Sequence, residues 1–160
     1  MKALTVVVQI TTVLGLGVVI FQIWQTNRWN RRVSNFNFIN TEISAGLEQK
    51  ARKAIEAAGI VFQYEPRWSL NKDEAGLLIL DHDTAFAINH FLNDYENLCL
   101  AFQANILDKD MFARAHAGRL IFWHRILRSY IDEARVRYGD PDIWIDFVRT
   151  AERFQERASP

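Results

Sequence analysis

The sequence predicts an all-α protein, with a single N-terminal transmembrane helix followed by a small cytoplasmic helical bundle. Three observations predict it. Residues Ala3 to Asn27 carry no charge, a run longer than the roughly 20 residues of helix that cross a bilayer's hydrocarbon core. Downstream, apolar residues recur at helical spacing, and no segment alternates in the way a half-buried strand does. Helix start and stop signals punctuate that pattern.

The apolar N-terminal run ends in Phe21-Gln22-Ile23-Trp24-Gln25 and then charge, not in the small residues of a cleavage site, so it reads as an uncleaved anchor. Arg28, Arg31 and Arg32 follow it, against Lys2 and the terminal amine before it, which places the C-terminal side in the cytoplasm. Trp24 and Trp29 suit an interfacial aromatic belt. Thr11, Gly15, Val18, Gln22 and Gln25 fall on one helix face. Small and amide side chains of that kind favour close helix-to-helix contact in lipid, so Thr11, Gly15 and Gln22 are candidates for self-association. Single polar residues tolerated within a generous span are the alternative.

Residues 33–63 read as a helical stalk or connector after an anchor at 1–32, with a cytoplasmic domain at 64–160. One register runs on through Trp29, Val33, Phe36, Ile43, Leu47 and Ala54. A break at Ser34-Asn35-Phe36-Asn37, with a new helix capped near Asn40 or Thr41, competes with it. The segment ends near Gly59, and Tyr64-Glu65-Pro66-Arg67 makes a turn or loop. A short helix covers Lys72 to Leu80. A longer one runs from about Asp83 to Ile106, with Ile88, Phe91, Leu92, Tyr95, Cys99 and Phe102 on its apolar face. The next starts after Asp108 as N-cap and stops at Gly139. In the last, Asp140-Pro141 supplies an N-cap and a first-turn proline ahead of Ile143, Trp144, Phe147, Val148, Ala151 and Phe154.

The chain's 19 lysines and arginines balance its 19 aspartates and glutamates. With no recognition motif, that neutrality argues against duplex nucleic acid. The lone Cys99 lies in an apolar pattern and reads as a packed thiol in a reducing compartment. No phosphate loop, Ser/His/Asp arrangement or zinc signature is present. His90 and Asp94 share a face beside Asp81-His82-Asp83, but a third ligand at matching spacing is missing; no metal or cofactor is expected. His116, in line with Phe112 and Leu120, reads as a hydrogen-bonded core residue. Between Lys109 and Tyr138, seven bases stand against three acids. Arg114, Arg125 and Arg128 fall on one face with His124 beside it, a candidate anion-binding surface or an ordinary solvated arginine face.

Phe91-Leu92-Asn93-Asp94-Tyr95-Glu96, then Ile106-Leu107-Asp108, then Trp123 and Arg135, then Asp140-Pro141 and an aromatic helix resemble a bacterial family of small membrane-anchored helical proteins that carries only a domain-of-unknown-function label. The resemblance covers Phe86 to Phe154 and the anchor in layout, and fails between Gly59 and Asp81. It implies the architecture above, at a bacterial inner membrane, and no established chemistry. Asn93 and Glu96 border the apolar face. They form, with Arg135, either a ligand-contacting cluster or a structural one in which Glu96 pairs with Arg135 or Arg119 to fix helix packing.

Two function classes follow. One is a non-catalytic membrane protein whose helical domain oligomerises or binds a partner. The other is a membrane-perturbing effector of the sort found in bacterial antiphage defence, gated by an anionic ligand such as a cyclic oligonucleotide.

Overall fold

The computed structural model describes residues 15–33, 43–65 and 68–158, and all its regular elements are helices. They are α1 (residues 15–33), α2 (Ile43–Ala57), α3 (Lys72–Leu80), α4 (His82–Gln103), α5 (Lys109–Tyr138) and α6 (Ile145–Ala158). α2 packs on α4, α3 on α4 and α5, and α6 on α4 and α5.

Local chemistry sets most boundaries. Asn71 and Glu74 exchange backbone and side-chain hydrogen bonds of 2.8 Å, a capping box that starts α3. The Asp81 side chain accepts from Thr84 N at 3.1 Å and starts α4. Asp108 accepts from Met111 N at 3.0 Å and starts α5. At the other ends, α2 closes through Gly59 (φ 82°), with Gly59 N donating to Glu56 O and Ile60 N to Ile55 O. α4 closes in the same way through Asn105 (φ 59°), its amide donating to Phe102 O and that of Ile106 to Ala101 O. The left-handed asparagine therefore ends α4 at Gln103, short of the Ile106 expected from periodicity.

The start of α6 is a second correction. Asp140 does not cap it: its carboxylate accepts from Asp142 N at 2.9 Å in a tight turn. Trp144 then takes a left-handed φ of 55°, and the helix begins at Ile145. The segment read as a stalk is also different in part. α2 is a member of the bundle, because Ala51 and Ile55 are wholly buried and Leu47 packs against the same core.

Large rings fill that core. Phe91 lies 4.7 Å from Trp123 and 4.8 Å from Tyr95, while Phe102 stacks on Phe112 at 4.4 Å. Truncating a ring as buried as Phe91 costs roughly 3–5 kcal/mol. The connector after α2 is strapped across α5: Leu70 N donates to Ile126 O at 3.2 Å, and Ser129 Oγ donates to Leu70 O at 2.8 Å. From the connector itself, Phe62 and Trp68 pack against the core with their ring centroids 5.0 Å apart.

Among the described residues no helix is long and apolar enough to cross a membrane. The expected span has its first half, with Thr11, outside the described residues. Its second half lies in α1, where Gly15 and Gln22 are exposed.

Candidate functional site

α2, the connector and α5 line an open cavity of about 600 Å³ formed by Glu48, Gln49, Arg52, Tyr64, Gly118, Arg119, Phe122 and Trp123. Helical spacing explains both walls. Glu48, Gln49 and Arg52 lie within one turn of α2, and Gly118, Arg119, Phe122 and Trp123 lie within about one turn of α5. Gly118 leaves the α5 wall open, since a Cβ there meets nothing within 4 Å.

The wall is rich in donors and rings. Arg52 Nη1 donates to Tyr64 Oη at 2.5 Å, and its guanidinium stands 5.9 Å from the Tyr64 ring centroid. That phenol, and then Glu56, hold Arg52 more firmly protonated than usual. Tyr64 stacks on Phe122, and the Arg125 guanidinium stands 5.5 Å from the Phe122 ring centroid while donating to Glu65 O at 3.5 Å. The Nε of Arg125 is buried and makes no hydrogen bond, a demand that a ligand or a water can satisfy, whereas the Nε of Arg52 faces the Glu56 carboxylate at 3.5 Å. The cavity's carboxylate is engaged: Glu48 accepts from Tyr95 Oη at 2.5 Å and sits 3.9 Å from Arg119 Nη1. Burial, then the Glu48 bond, pushes the Tyr95 phenol far above its ordinary range. Guanidinium N–H groups beside aromatic faces suit a planar or phosphorylated anion.

The predicted arginine face does not form one anion site. Arg114 donates to Asp110 O of its own helix at 3.3 Å, Arg128 is exposed, and Arg125 touches the cavity's wall through the Phe122 ring without lining the cavity. Arg114 and Arg125 are separated by about 16 Å along α5 at the helical rise, too far to share a small anion. His124 is buried, its ring 6.2 Å from that of Phe147, and burial lowers its pKa. The arginines that do converge, Arg52 and Arg119, belong to elements whose juxtaposition is not local in sequence. The Glu48, Arg52, Glu56 ladder is the one signal pointing there.

Asn93, Glu96 and Arg135 do come together, around residues 143–147. Trp144 Nε1 donates to Asn93 Oδ1 at 2.8 Å, Asp146 N and Phe147 N donate to Glu96 at 3.0 and 2.6 Å, and Arg135 donates twice to Ile143 O at 3.0 and 2.9 Å. Glu96 thus caps α6 from a neighbouring helix. The expected pairing of Glu96 with Arg135 or Arg119 gives way to two grips on the same turn, with the Arg135 charge still favouring the Glu96 carboxylate. Burial, opposed by those two amides, raises the Glu96 pKa.

His90 Nδ1 and Asp94 Oδ2 are 3.4 Å apart, and among the described residues no group of three or more His, Cys, Asp or Glu side chains is placed to hold a metal.

No curated protein and no solved structure gives a significant match to the chain. A family model described as Domain of unknown function (DUF4760) matches residues 9–154, including the 59–81 stretch where the sequence resemblance failed. With nearly its whole length matched, and with the Asn93, Glu96 and Arg135 cluster inside the match, the chain belongs to the DUF4760 family.

Proposed function

We propose that this protein is a non-catalytic, membrane-anchored binding module of the bacterial inner membrane. Its N-terminal helix tethers a cytoplasmic helical bundle that binds a partner or further copies of itself. The observation that supports this reading is the surface of α1. Leu16, Val18, Val19, Ile20, Phe21, Ile23 and Trp24 are all at least half exposed and contribute nothing to the core. Consecutive apolar residues on every side of a helix are costly in water and favourable in lipid. Arg28, Arg31 and Arg32 at its C-terminal end suit the cytoplasmic face. Gly15 and Gln22, with Thr11, offer a face for pairing anchors.

Expressed at full length, the protein should stay with the membrane fraction through high-salt and carbonate washes, and its C-terminal domain should be digested in inverted vesicles but not in spheroplasts. Release by salt alone rejects the anchor; digestion in spheroplasts rejects the orientation.

The cavity beside α5 favours a second reading, in which an anionic, ring-bearing ligand such as a nucleotide docks on Arg52, Arg119 and Phe122 and the anchors perturb the membrane. Growth arrest on expression, abolished by Gln22→Leu with Thr11→Leu, separates this effector from a passive tether.

A further inference from the structure

A second cavity, of about 350 Å³, lies where α1 meets the α4–α5 loop. Trp24, Arg28 and Arg31 line it from α1, and Asn105, Asp108 and Lys109 from the bundle. Two separate elements thus bring three cations to one pocket. Its one carboxylate is engaged: Asp108 caps α5 through Met111 N and pairs with Arg32 Nε at 3.5 Å. Arg31 and Lys109 have no carboxylate partner within ion-pair distance among the described residues. Lys109 also borders a neighbouring cavity with Arg149 and Arg153 of α6, so positive charge continues around this end of the bundle. The Arg28 guanidinium stands 5.5 Å from the Trp24 ring centroid. On the membrane reading above, Trp24 sits at headgroup depth, which puts this pocket level with lipid phosphates.

We propose that the pocket binds the phosphate group of one anionic phospholipid, with Arg28 and Arg31 from the anchor and Lys109 from the bundle as its donors. The inference rests on the membrane reading. It differs from a generic basic flank in requiring Lys109, which is 77 residues beyond Arg32 and reaches the pocket only through the fold. The bound lipid bridges α1 and α5, beside the Arg32–Asp108 pair, and so fixes how the bundle sits on the bilayer.

The test uses the full chain in nanodiscs of zwitterionic lipid with and without phosphatidylglycerol, with retained lipid counted by native mass spectrometry. One retained phosphatidylglycerol is expected. Lys109→Gln should weaken its retention about fivefold, as should Arg31→Gln, with Lys109→Arg restoring it and the exposed Lys72→Gln leaving it unchanged. Equal losses for Lys109→Gln and Lys72→Gln, or no loss, overturn the site. Displacement of the lipid by equimolar glycerol phosphate overturns the lipid as the source of the phosphate. Incorporation without headgroup preference overturns this inference alone, whereas failure to incorporate into either nanodisc overturns the anchor as well.

Discussion

His116 shows how burial converts one side chain into a pH dependence. It packs 5.0 Å from the Phe112 ring, is 3% exposed, and its Nδ1 has no hydrogen-bond partner, contrary to the hydrogen-bonded core residue its spacing predicts. Burial, reinforced by Arg119, pulls its pKa down to about 4 from 6.5. As pH falls through 6.5 the unfolded chain takes up the proton first, so stability is full above that value and declines towards about 4. Urea titrations across that range should show it, and His116→Phe should remove most of it. His124, buried with its pKa lowered as well, adds to the decline in the same direction. Cys99 behaves oppositely in chemistry but for the same cause. Burial pushes its thiol up to about 12, so alkylation of the folded protein should be slow and should accelerate on adding denaturant.

Helices α3 and α5 were legible in the sequence because their starts are local: Asn71 and Asp108 lie within three residues of the amides they cap. The start of α6 was not, although its inward residues Phe147, Ala151 and Phe154 were, because its cap comes from Glu96, 50 residues before Asp146. A cap that distant leaves no local signal, and Asp140-Pro141 imitates one. Replacing Glu96 with alanine should therefore cost roughly 1–3 kcal/mol. The loss should appear as faster hydrogen exchange in α6, with the centre of α5 little changed. Arg135→Ala, which frees the Ile143 carbonyl, should act in the same direction. On α5, Gly118→Ala adds a methyl into open space and should stabilise the helix by about 0.5–1 kcal/mol. A rise in melting temperature checks it; a fall means that the added methyl meets a neighbour across the cavity wall.

At the scale of the whole molecule, the sequence disclosed the helical class and the residues of the Asn93–Glu96–Arg135 cluster, but not the cavity. Arg52, Tyr64 and Arg119 meet only after the connector has been strapped over α5 by Leu70 and Ser129. No periodicity records that path. Ser129→Ala should loosen the strap by about 1 kcal/mol, and the fluorescence of Trp68, a residue of the strap packed against the core, should shift towards that of a solvated indole. At the opposite end of α5, the Asp108 carboxylate that starts the helix also holds Arg32 of α1. α5 is 30 residues long, hence about 45 Å at the helical rise. It is geometrically a lever with its fulcrum at the contact with α1. A tilt of about 5° imposed at Asp108 sweeps the far end near Gly139 through about 4 Å over that length. That end is where Arg135 and Trp144 grip the start of α6, so a small rotation beside α1 becomes a displacement the size of a side chain at the other end of the bundle.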